Sequence, residues 1–128
     1  MTMNLQLAQV YLNNALTLAA ERGKKIAVAL VDDHGELVTY ARMNGCPFHA
    51  GLLAQNKAYT AARDRQSTAS LGAWAKATGK DMGYWSDPKF TGIQGGLPIV
   101  AAGRVIGAIG ISGLSETEDG ELAELAIT

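Results

Sequence analysis

Apolar residues recur at three- and four-residue spacing through Leu5, Ala8, Leu12, Ala15 and Ala19, which is the period of an amphipathic helix. Asn4 stands where an N-cap is wanted and Gly23 where a left-handed residue ends a helix, so the spacing predicts a first helix of about five turns. The period then changes. Ile26 to Val31 (IAVALV) is apolar at odd and even positions alike, the pattern of a strand covered on both faces. Asp32-Asp33-His34-Gly35 is turn chemistry and Glu36 to Arg42 reads as the returning strand of a hairpin. His34 in such a turn reads as solvated rather than as a ligand.

From Phe48 to Arg63 the helical period returns, with Ala50, Ala54, Ala58 and Ala61 forming a stripe of small residues that allows close approach to a sheet. Lys57 falls inside that stripe rather than on the polar face. Such a lysine must either extend to solvent or meet an anion. Ser67 to Thr78 reads as a shorter helix, followed by the aperiodic segment GKDMGYWSDPKFTG from Gly79 to Gly92. A connection of that length is either a functional loop or one pinned to the core by Trp85 and Phe90. Leu97–Val100 and Arg104–Ile111 read as a second hairpin, in which Gly107 and Gly113 fall on one face and Gly110 on the other. Ser115 to Ala126 closes the chain as a helix with an acidic first turn.

Composition narrows the function classes. The chain has 128 residues and a net charge of −1, with 48% hydrophobic and 18% charged residues, which suits one globular domain spanning 1–128. The balanced charge excludes the strongly basic character of a nucleic-acid-binding domain. Apolar runs fall far short of a membrane span, and the N-terminal segment reads as a helix rather than a leader, so a soluble cytoplasmic protein is expected. One cysteine, Cys46, cannot form an internal disulfide and suits a reducing compartment. Glycine is in excess at 15 residues, six of them from Gly95 to Gly113. This spacing inside a strand is not a dinucleotide fingerprint, and no Walker sequence, nucleophile elbow or H-E-x-x-H zinc motif is present.

The remaining chemistry lies in Arg42, Cys46, His49 and Lys57, which bring a guanidinium, a thiol, an imidazole and an ammonium into one short stretch. All four can contact an anion or an iron centre. Cys46 and His49 could supply haem ligands, or could be a small core residue and a helix cap. Gly95 and Gly96 expose consecutive backbone amides able to hold an oxyanion, or form a plain tight turn.

The stretches VALVDDHGELVTYARMNG, AQNKAYTAA and GGLPIVAAGRVIGAIGISG, followed by Glu118-Asp119, resemble the GlcG/HbpS family, which includes the C-terminal domain of PduO-type corrinoid adenosyltransferases. The resemblance covers essentially the whole chain. Motif positions fall on Asp32, Gly35, Arg42, Lys57, Thr60, Gly95, Gly96, Pro98, Gly107 and Gly113, while His49 and Cys46-Pro47 depart from the common pattern. The resemblance implies an α/β (α+β) domain of profilin-like architecture, an antiparallel sheet of about five strands with helices packed on it, and assembly into dimers or larger homo-oligomers. It also implies haem binding by some members and an association with small-molecule catabolic pathways.

Two functions follow as expectations. The first is binding of haem, a tetrapyrrole or another small anionic ligand, with His49 or Cys46 toward iron and Arg42 and Lys57 on carboxylates. The second is a small enzyme acting on a carboxylated intermediate. There His49 would be the acid or base, Arg42 and Lys57 would anchor carboxylate, and the Gly95 and Gly96 amides would hold the oxyanion. A purely structural assembly module is the third possibility, and it leaves Lys57 unexplained.

Overall fold

The structure is a computed structural model describing residues 1–128. Helix α1 (Leu5–Glu21) is followed by the hairpin β1 (Ala27–Asp32) and β2 (Leu37–Arg42), then by helices α2 (Ala50–Asp64) and α3 (Thr68–Thr78). A second hairpin, β3 (Gly96–Ala101) and β4 (Arg104–Ser112), leads to helix α4 (Glu116–Ala126). The strands form one antiparallel sheet in the order β2-β1-β4-β3. The sheet has four strands, not about five. Both strand-like pairs of segments are used, and the connection before β3 is held by other means: a short 3-10 turn at Met82–Trp85 and side-chain bonds to its backbone.

The N-cap foreseen at Asn4 is in place, and two that were not foreseen join it at Ser67 and Ser115. The Asn4 side chain accepts from Leu7 N, and Ser67 and Ser115 do the same for α3 and α4, satisfying amides that the first helical turn leaves unpaired. At Ser115 the bond is reciprocated by Glu118, a full capping box.

The central strands are covered on both faces, as their continuous apolar pattern requires. On one face Val28, Leu30, Ile109 and Ile111 pack with Ala8, Leu12 and Ala15 of α1 and Leu122 and Ala123 of α4. On the other, Ala27, Ala29, Val31 and Ala108 meet Ala50, Ala54, Ala58 and Ala61 of α2. Gly110 makes the second contact possible: a Cβ there would collide with the Ala54 carbonyl and lie 2.6 Å from Ala58 N.

The connection from Gly79 to Gly95 is pinned. Gly72 and Gly92 pack backbone to backbone, Thr60 Oγ1 accepts from Thr91 N at 3.1 Å, and Tyr59 donates to Asp87 at 2.7 Å. Trp85 meets Trp74 edge-on and Phe90 at a tilt, with ring centroids 5.7 and 5.3 Å away. The loop is pinned, but by Tyr59, Thr60 and Gly72 rather than by Trp85, which stays exposed.

Candidate functional site

Arg42 ends β2, and the chain then turns through Met43–Cys46, closed by a 3.2 Å bond from Cys46 N to Met43 O. Gly45 takes a φ of 85° in this turn, a conformation that suits glycine. Pro47 and Phe48 lead to His49, the N-cap residue of α2. The imidazole makes no capping bond and is exposed, so the capping role is not the one its geometry serves. Phe48 beside it is fully exposed, at 102% of its reference area. Cys46 is half-buried, its thiol free and its body packed against the alanine-rich core.

Arg42 belongs to the same corner of the molecule. A Cβ at Gly51 would lie 3.7 Å from Arg42 Cδ and would strike the Tyr40 hydroxyl, so β2 side chains lie directly on the first turn of α2. Arg42, Met43, Asn44, Cys46 and Phe48 line a groove of about 280 Å³. A second groove of about 410 Å³ shares Arg42, Met43 and Asn44 and adds Lys25, Leu16 and Ala41. Two cations, Arg42 and Lys25, therefore border the second groove. Lys25 was not singled out in the sequence. Its signal was slight, a basic residue just before β1, and only the β1–β2 pairing carries it to Arg42.

Lys57, Gly95 and Gly96 lie elsewhere. The Lys57 side chain is wholly buried, and its ammonium donates to Asp119 Oδ2 at 3.0 Å and to the Ile111 carbonyl at 2.9 Å. The other Asp119 oxygen accepts from Leu114 N at 3.1 Å. Burial pulls the Lys57 ammonium below the ordinary lysine range, opposed by the charge of Asp119. Burial likewise pushes the Asp119 carboxyl up against the pull of Lys57. The anion that a lysine in the alanine stripe requires is thus supplied by the chain itself. Gly95 and Gly96 form the floor over this pair: a Cβ at Gly95 would lie 2.8 Å from Lys57 Nζ, and one at Gly96 would strike the Lys57 carbonyl. The Gly96 amide donates to Thr68 Oγ1 at 2.9 Å.

Arg42 and Cys46 line one groove at the β2–α2 corner, with His49 three residues beyond Cys46 at the start of α2, while Lys57, Gly95 and Gly96 form a separate interior cluster. His49 and Lys57 face no common space, so the convergence of base, ammonium anchor and amide cradle expected of the enzyme reading is not formed by this chain. His34 is exposed in its turn, which Asp32 Oδ1 organises by accepting from the His34 and Glu36 amides.

Comparison with known proteins fixes the lineage. Residues 3–128 match the family described as "Haem degrading protein HbpS-like". The chain belongs to that family, the GlcG/HbpS group. It is 31% identical to protein GlcG of Escherichia coli K12 over 110 residues, 86% of this chain and 81% of that protein. The crystal structure of Klebsiella pneumoniae protein ORFY superposes with a TM-score of 0.90 at 27% identity, covering 99% of this chain and 89% of that one. The crystal structure of a PduOC:heme complex gives the same TM-score and identity, covering 99% of this chain and 94% of the other. The family fold is thus present over nearly the entire chain.

Proposed function

We propose that the protein binds haem or a related tetrapyrrole at the β2–α2 corner. The observation that carries the reading is an uncommitted, exposed imidazole at His49, next in the chain to Phe48, which lines a groove with Arg42, while Lys25 borders a neighbouring groove that shares Arg42. Haem asks for an axial base, apolar contact for its ring and cations for its propionates. The residues present fit that list. His49 offers a nitrogen ligand, with Cys46 as the soft alternative nearby. Phe48 and Met43 offer apolar surface, and Arg42 and Lys25 offer charge for two carboxylates. When bound, haem would supply an iron centre whose reactivity is set by its axial ligand.

The protein fold holds these groups apart from the interior ion pair, so Lys57 and the Gly95-Gly96 turn support the sheet and helices rather than touch the ligand. Membership of a family described as haem degrading supports the reading, as does the likeness to a haem-bound PduOC structure. We further infer a cytoplasmic homo-oligomer serving a small-molecule catabolic pathway, a reading supported by the relationship to GlcG and by exposed apolar side chains at Val10 and Val100.

Haemin titration followed at the Soret band tests the proposal. The expected result is a saturable shift in the wild type, weakened in Arg42→Ala and altered in position in His49→Ala. An absent shift, or a spectrum left unchanged by His49→Ala combined with Cys46→Ala, would overturn it.

A further inference from the structure

A second hollow, independent of the haem reading, lies between the tip of the first hairpin and the outer face of α2. Its volume is about 160 Å³, and Glu36, Leu37, Leu52, Asn56, Tyr59 and Lys89 line it. Pockets for drug-sized molecules measure roughly 300–1,000 Å³, so this one is of the size of a small metabolite. It is formed by specific features of the backbone. The β1–β2 register slips between Leu30 and Val31, so that Val31 pairs with Leu37 and leaves Val38 as the extra residue. A bulge of this kind bends a strand and re-aims its side chains. Gly35 closes one end: a Cβ there would lie 3.0 Å from Tyr59 Cδ2 and 3.2 Å from Arg63 Cγ, so the turn lies flat against the Tyr59 ring.

The polar groups are of mixed sign and are arranged around that ring. Tyr59 is fixed by its bond to Asp87 and by the guanidinium of Arg63, 5.1 Å from the ring centroid. Lys89 Nζ lies 4.9 Å from the same centroid, which holds the ammonium over the hollow. Glu36 lines the same space and takes part in no ion pair with it. The Asn56 side chain is half-buried, with both donor and acceptor capacity to offer. Leu37 and Leu52, both largely exposed, supply apolar wall.

From this arrangement we infer that the hollow binds a small zwitterion, an α-amino acid with a short aliphatic side chain. Lys89 and Asn56 take its carboxylate, Glu36 takes its ammonium, and Leu37 and Leu52 contact its aliphatic part. A simple carboxylate would engage Lys89 but not Glu36, and a simple amine Glu36 but not Lys89. The charge pattern therefore selects the molecule that carries both.

The test uses the full chain with three probes of similar shape: L-valine, isobutyrate and isobutylamine. Binding is read from the amide resonances of Gly35 and the Asn56 side chain and from calorimetry. Valine is expected to bind in the millimolar range or tighter, with each singly charged probe at least about tenfold weaker. Glu36→Gln and Lys89→Met each weaken valine binding about tenfold, with unchanged thermal melting and unchanged haemin titration. Absence of valine binding up to roughly 50 mM, or equal binding of isobutyrate, overturns the inference. So does wild-type affinity in both variants.

Discussion

The two faces of the sheet are built on different principles. Toward α1 and α4 the interior is made of branched side chains, Val28, Leu30, Ile109 and Ile111, meeting leucines and alanines across a layer of ordinary thickness. Toward α2 it is almost entirely alanine and glycine, so that a helix carbonyl at Ala54 sits where a Cβ on Gly110 would be. A thick layer of side chains can repack around a small change, whereas backbone against backbone has little to move. The same closeness brings the buried Lys57 of α2 within reach of a backbone partner in the sheet, the Ile111 carbonyl.

The sharpest way to break this contrast is Gly110→Val. Its side chain must displace α2 from the sheet, and a loss of more than about 4 kcal/mol is expected, seen as failure to give a cooperative melt. The neighbouring Ile109→Val, which removes one methylene on the opposite face, is expected to lower stability by only about 1 kcal/mol. Equal effects from the two would show that the faces respond alike.

Next in size is Lys57→Met. Removing one member of a buried pair leaves the other charge without its partner, with an expected loss of about 3–5 kcal/mol near neutral pH. The loss should depend on pH in a definite direction. Burial already holds the Asp119 carboxyl above the ordinary value of 3.8, and Lys57 opposes that rise. Without the ammonium the folded-state pKa moves higher still, so the folded protein binds this proton more readily than the unfolded chain. The stabilising contribution of that protonation is present at acid pH and is lost as pH rises through the folded pKa. The deficit of Lys57→Met against wild type, measured by denaturant melts, should therefore be smallest in acid and widen toward neutrality. A further Asp119→Leu substitution should recover much of it, since an apolar pair replaces an orphaned charge. A deficit independent of pH would assign the loss to packing alone.

The ion pair also shows how far the sequence could be read. Lys57 stands in the stripe of Ala54, Ala58 and Ala61, and its abnormal position was visible. Asp119 stands in the stripe of Leu122, Ala123 and Ala126, at helical spacings of three, four and seven, but its place in the first turn of α4 offered a sufficient local explanation. Two opposite charges, each on an apolar stripe, were the available signal for the pairing. What one sequence does not show is the register that sets α4 against α2. Strands, helices and the Asn4 cap were legible because each depends on residues close in the chain. The four-stranded limit of the sheet, the Arg42–Lys25 groove and the hollow at the hairpin bulge all depend on which segments become neighbours. The separation of Arg42 and His49 from Lys57 was hidden for a related reason. Eight residues of helix place His49 and Lys57 about 12 Å apart along the axis, although they look adjacent in a linear motif.

The smallest effects are expected at the helix starts, where the two faces differ again. Helix α4, on the thicker side, begins with a reciprocal box: Ser115 Oγ accepts from Glu118 N at 3.2 Å while Glu118 Oε1 accepts from Ser115 N at 3.4 Å. Helix α2 begins at His49 with no side-chain cap, and is held instead by Ala50, Ala54 and Ala58 against the sheet. Ser115→Ala should therefore lower stability by about 1 kcal/mol. His49→Ala should change it by no more than about 0.5 kcal/mol, because no hydrogen bond of the folded state is lost. The pair can be measured in one set of urea melts. If His49→Ala proves as costly as Ser115→Ala, the imidazole is serving the helix, and its availability to a ligand is removed with it. If it is neutral, the substitution separates binding from folding, and any change it makes in the haemin spectrum belongs to the ligand site.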